Sequence, residues 1–177
     1  MPQIAAAYRR DANSVPITTD GLTTSTEMTC VGSNNTTSTP IFTITGAVEI
    51  RAFWGVVTQT LQGAHTAAFI TLNDQTATVD ITLATGVTLS AEVPGCVIVK
   101  KGLVGAALVK LDNGAGVVSE PTTLETTYFS PFVIVKKTAA TTQIEYSYAT
   151  TNVTPTGKIQ FFVRWLPLSE DGDVAAV

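Results

Sequence analysis

The sequence predicts an all-β fold, an antiparallel β-sandwich, on three observations. Roughly one residue in six is threonine, and side chains branched at Cβ lose rotamer freedom in a helix but sit well on a pleated strand. Several segments alternate apolar and polar residues with the period of two that a half-buried strand requires. Short clusters of Gly, Asn, Asp and Pro punctuate the chain often enough that short strands follow one another. No window sustains a helical period, and Leu103 to Leu111, the one stretch that could coil, is short and glycine-rich.

Taken in order, residues 9–40 are rich in Thr, Ser, Asn, Asp and Gly, with Pro16 and Pro40 as brackets. Ile17, Leu22, Met28 and Val31 are too sparse to build a core. Residues 1–40 therefore read as an extended N-terminal arm with at most one or two short strands, and residues 41–177 as the β-sandwich domain. Strand signals then run over Ile41 to Thr45, Ala47 to Thr60, Thr66 to Leu72, Ala77 to Leu83, Gly86 to Leu89, Cys96 to Lys101, Val104 to Leu111, Pro131 to Lys137, Gln143 to Ala149 and Lys158 to Leu166.

Two strands are written most clearly. TGAVEIRAFWGVV puts Val48, Ile50, Ala52, Trp54 and Val56 on one face and Glu49 and Arg51 on the other; TGKIQFFVRWLPL does the same with Ile159, Phe161, Val163 and Trp165. Both tryptophans are expected to be mostly buried. The doublets Phe53-Trp54 and Phe161-Phe162 place a large ring on each side of a strand, which is more apolar surface than one inner face takes; the surplus predicts a homo-oligomer, a trimer. If the last two strands form a hairpin, placing Ile144 opposite Phe161 and Tyr146 opposite Ile159 keeps both apolar faces on the same side, with Glu145 in diagonal reach of Lys158. CVIVKK and FVIVKK read as two similar strands with charged ends at Lys100-Lys101 and Lys136-Lys137.

A chain of 177 residues suits one domain whose core needs no staples. A net charge of -4 excludes a general basic footprint for nucleic acid. No run reads as a membrane span, and the start, MPQIAAAYRRDANSVPI, does not read as a signal peptide. Cys30 and Cys96 are too few for a disulfide framework and lack zinc spacing; a bridge between them stays open, with buried free thiols the preferred reading.

The chemistry-bearing residues read mostly as structure. His65, the sole histidine, has no GxSxG elbow or activated cysteine to serve, and reads as a surface or strand-end residue. Thr156-Gly157-Lys158 lacks the rest of a phosphate loop. Glu170, Asp171 and Asp173 around Gly172 fall short of a calcium loop and read as a solvated turn. Asn73, Asp74 and Asp80 read as turn chemistry, and the N-x-Thr triplets at Asn34, Asn35 and Asn152 as loop composition. Phe53, Tyr128, Phe129, Tyr146 and Tyr148 could stack on sugars, but core and subunit packing is the favoured reading. No catalytic residue, cofactor or metal is expected, and the chain is not read as an enzyme.

The order of features, an RRDANSVPI arm, an ITGAVEIRAFWGVV strand and an IEYSY strand followed by TGKIQFFVRWLPLSEDGDV, resembles small structural proteins of tailed bacteriophages. The resemblance covers most of residues 9–173; Asp74 to Thr127 carries nothing that matches. It implies a jelly-roll-like domain that associates as a trimer on a phage head as a decoration or cement protein. The implied partner is the major capsid protein and the implied location is the exterior of the virion, after synthesis in the host cytoplasm. On that reading Arg9 and Arg10, with Asp11, would steer the arm onto the shell, and Ile4, Tyr8, Val15 and Ile17 would supply contact area. The alternative is a carbohydrate-binding or receptor-binding β-sandwich module of a phage fibre, which would need an exposed aromatic platform or a calcium site.

Overall fold

The computed structural model describes residues 21–31, 37–63, 65–84, 87–111, 130–137, 140–149 and 154–177. Among these, eleven strands follow one another: β1 (Leu22–Thr29), β2 (Thr37–Thr45), β3 (Ala47–Gln62), β4 (Thr66–Asn73), β5 (Thr78–Asp80), β6 (Val97–Lys100), β7 (Leu108–Leu111), β8 (Phe132–Val135), β9 (Thr142–Ala149), β10 (Thr156–Pro167) and β11 (Asp173–Ala176). One sheet has the order β1-β10-β3-β6-β7 with β8 also on β3, the other β11-β2-β9-β4-β5. All pairings are antiparallel, and the two sheets bury one apolar core between them. The fold is the all-β sandwich that the alternation predicts, with no helix among the described residues.

The pairings nest. β1 pairs with β10, β2 with β9, β3 with β6 and β4 with β5, so the chain runs as one long antiparallel ribbon folded over into two layers. β9 and β10 therefore lie in different sheets, and the hairpin register considered for them is not formed. Tyr146 instead meets Phe161 across the sandwich, ring centroids 5.2 Å apart, while Lys158 pairs with Glu27 of β1 at 2.7 Å and Glu145 accepts from Asn73 Nδ2 at 2.9 Å. Their inner faces meet ring on ring across the core instead of sharing a sheet edge.

The two VIVK segments are similar strands on one edge: β8 pairs with Ala47–Ile50 of β3 and β6 with Trp54–Val56, end to end. The segment expected as a strand around Gly86 to Leu89 contributes one bridge, Ala68 to Val87. β11 falls where only a solvated turn was read.

β1 and the first residues of β2 lie within the expected arm, yet both belong to the sheets, so the sandwich extends N-terminal to Ile41. Leu22, Thr24, Thr26 and Met28 alternate inward, and the threonines fasten the strand by hydrogen bonds rather than by apolar area. The Thr24 hydroxyl accepts from the buried Trp165 indole at 3.0 Å and donates to the Val174 carbonyl at 2.8 Å. Thr26 donates to the Val177 carbonyl at 3.2 Å. One hydroxyl thereby links β10, β1 and the edge strand of the opposite sheet. A strand written in threonine reads as loop composition when only apolar residues are counted.

Between the sheets six rings make contact in succession. Phe42 meets Phe53 edge-on at 6.2 Å, Phe53 meets Phe161 at 5.9 Å, Phe161 meets Tyr146, Tyr146 meets Tyr148 at 5.4 Å and Tyr148 meets His65 at 4.6 Å. Such ring contacts add about 0.5–1.5 kcal/mol each beyond the area they bury. Gly55, opposite Phe161, makes room for them: a Cβ there would lie 2.9 Å from the phenyl ring.

Thr24→Val keeps the shape of the side chain and removes both bonds, leaving the Trp165 N–H without its acceptor. It is expected to lower stability by about 1–3 kcal/mol in denaturant titration; an unchanged midpoint would show that the relay contributes nothing.

Candidate functional site

The residues that face solvent from the six-stranded sheet are set by a register shift. β3 spends sixteen residues against twelve of β10. Arg164 stands opposite Ala52 and Trp165 opposite Ile50, so Arg51 is an extra residue on β3. Such a bulge inverts the alternation beyond it. Val48 and Ile50 point inward before it; Phe53, Gly55 and Val57 point inward after it. Trp54, expected inside, is therefore on the outer face and only half-buried, while Trp165 is 3% exposed as expected.

On that outer face one register row runs Ser25, Phe162, Trp54, Val99, Val109 from β1 through β10, β3 and β6 to β7. The Trp54 and Phe162 rings stack nearly parallel, 5.2 Å apart at 7°. Val56 and Val97 form the next pair. A depression of about 320 Å3 opens between Ala52, Trp54, Val97, Val99 and Arg164. Polar groups border the apolar row: Arg51 and Glu49 pair at 3.4 Å on one side, and Lys158 and Glu27 on the other, where the Lys158 ammonium holds the Glu27 carboxyl below its ordinary range. An apolar centre with a charged rim is the pattern of a surface that meets another protein. An outward sheet face that stays in water is ordinarily polar along each strand.

The other candidates resolve into structure. Phe53, Tyr146 and Tyr148 are buried and offer no platform to a sugar; Tyr128 and Phe129 lie outside the described residues, as do Tyr8, Arg9, Arg10, Val15 and Ile17. Asp74 caps its turn, accepting from the Thr76 hydroxyl at 2.7 Å and from the Thr76 and Ala77 amides at 2.9 and 2.7 Å. Those bonds hold its carboxyl well below the usual range, and Lys137 pairs with it at 3.2 Å. Asp171 accepts from Ser169 at 2.7 Å within the turn before β11. Among the described residues no cluster of His, Cys, Asp or Glu converges as a metal site, and no helix is long and apolar enough to cross a membrane.

Lys100, expected as a charged strand end, is fully buried. Its ammonium donates to the Gly102 and Leu103 carbonyls at 2.9 and 3.3 Å and lies 5.3 Å from the Phe132 ring centroid. Burial holds its pKa below the ordinary value. Both cysteines are buried, and no disulfide joins them.

Comparison of the chain with protein-family models, with curated proteins and with solved structures gives no match. The outer face of the six-stranded sheet is therefore the candidate site on physical grounds alone. Its signal in the sequence is the two aromatic doublets, which each require one ring outside; whether Phe53 or Trp54 goes outside depends on the bulge.

The two tryptophans are expected to respond differently to truncation. Trp165→Ala should cost about 3–5 kcal/mol, as for a core aromatic. Trp54→Ala should cost less than half as much in the isolated chain by urea titration. Equal losses would place both rings inside.

Proposed function

We propose that the protein is a virion structural protein: a capsid decoration, or cement, protein that binds and stabilises a bacteriophage head as a homotrimer, with no catalytic role. The observation that carries this reading is the apolar row on the outer face of the six-stranded sheet, with the Trp54–Phe162 stack at its centre. A face that is apolar on both sides of its strands favours a covered position, against other copies of the chain or a shell.

The nested strand order supports a jelly-roll assignment. β1-β10-β3-β6 against β2-β9-β4-β5 is an eight-strand double sheet in which consecutive strands cross between layers except at the β4–β5 pair, with β7, β8 and β11 as additions. The phage-like order of sequence features points the same way and supplies the partner, the major capsid protein, and the place, the outside of the virion. Tyr8, Arg9, Arg10, Val15 and Ile17 stay proposed as capsid contacts on sequence grounds.

A sugar-binding role is the second reading, since Trp54 and Phe162 are aromatic and partly open. It is the weaker one because the two rings already cover one face of each other.

Light scattering of the purified protein at micromolar concentration should give three times the chain mass, and Trp54→Ser/Phe162→Ser should shift it to monomer with little change in melting temperature. Added to capsids that lack the protein, the parent chain should co-sediment with them. A monomeric parent that ignores capsids and binds a glycan array would overturn the proposal in favour of the second reading.

A further inference from the structure

His65 precedes β4 and is 0% exposed. Its imidazole stacks on the Tyr148 ring, 4.6 Å between centroids and 25° between planes, and neither ring nitrogen has a hydrogen-bond partner among the described residues. A neutral imidazole always carries one N–H, so this site already leaves a polar group unsatisfied. A second proton would add a full charge in the same place.

Among the described residues no acidic side chain balances that charge. Among the described residues the titratable groups at this end of the core are Tyr148 and Tyr146 from β9 and Cys30 after β1. Burial raises all three: Cys30 and Tyr148 to about 12, and Tyr146 well above its ordinary value. β3 and β10 present backbone at Gln62 and Thr156, which favours the proton, but burial outweighs it and holds the His65 pKa below normal. Gly157 closes the end further: it sits at φ +116, where a Cβ would come within 2.6 Å of the Thr60 carbonyl.

The ring on which His65 stacks also ties down the chain. The Tyr148 hydroxyl donates to the Val31 carbonyl at 2.6 Å, and the neighbouring Cys30 amide donates to the Gly157 carbonyl at 2.9 Å. Displacing the imidazole loosens the stack that positions Tyr148, and with it Cys30 and Val31.

We propose that His65 is an acid-sensitive latch: proton uptake expels the imidazole from its stack on Tyr148, opens this end of the sandwich and exposes the Cys30 thiol. The sign follows from where the proton binds. The closed form rejects it and the open form takes it at an ordinary pKa near 6.5, so closure is complete above that pH. Below it, the ratio of open to closed rises by up to about tenfold per pH unit until the closed form itself titrates.

The test uses the intact protein and a pyridyl disulfide, which labels thiols in mild acid. Rates at Cys30 and Cys96 are read separately by peptide mapping and normalised to the urea-unfolded chain at the same pH. From pH 7 to 5, Cys30 should become at least tenfold more reactive while Cys96 stays protected, and His65→Phe, which keeps a stacked ring without a titrating group, should abolish the rise. Imidazole NMR of the sole histidine decides independently if that variant does not fold. Titration of His65 near 6.5 with Cys30 still protected, an unaltered rise in His65→Phe, or simultaneous exposure of both thiols would each overturn the latch.

Discussion

One extra residue in β3 sets the arrangement of both faces of the larger sheet. Without Arg51 as a bulge, Trp54 would stand opposite Phe161 and compete with it for the same layer of the core. With it, Phe53 enters that layer beside Phe161, Gly55 provides the space opposite the Phe161 ring, and Trp54 turns out to stack on Phe162. The inner succession of rings and the outer apolar row are two consequences of one register shift. The same stretch of β3, Arg51 to Phe53, falls between the segments that pair with β8 and β6, so the inversion sits where the ladder on that edge is interrupted and least constrained.

Threonine explains how a chain with few aromatics closes such a sandwich. Thr24 links three strands through one hydroxyl. Thr82 accepts from the Ile70 amide at 2.7 Å, ending β4's edge where β5 is only three residues long. Ser38 and Ser147 bond to each other at 2.7 Å between β2 and β9. Each of these satisfies a polar group that burial would otherwise penalise by about 1–3 kcal/mol. The residue type that favours extended backbone through its branched Cβ also completes the hydrogen bonding at the sheet edges.

Strands were legible in the sequence because alternation survives in any pairing: β3, β4, β9 and β10 fall within a few residues of their expected limits. Partnership was not legible, because β9 and β10 are close in sequence but their inner faces meet across the core. β1 is not placed by the sequence because two of its four inward positions, Thr24 and Thr26, contribute bonding rather than apolar area. A bulge leaves no mark in an alternating run, so Val48 to Val56 read as one face and Trp54 is expected inside along with Trp165. The burial of His65 had no sequence signal, since the ring that covers it, Tyr148, is far along the chain. The outer apolar face was half legible: adjacent aromatics demand an exposed ring, and only the register says which.

Both faces of the larger sheet depend on the phase of β3, and ring-to-ring nuclear Overhauser contacts in the labelled protein measure that phase directly. Cross-peaks between Phe53 and Phe161 and between Trp54 and Phe162 are the expected result. Contacts from the Trp54 indole to Phe42 or Phe161, with Phe53 in contact with Phe162 instead, would mean that the bulge is absent and would contradict the assignment of both faces.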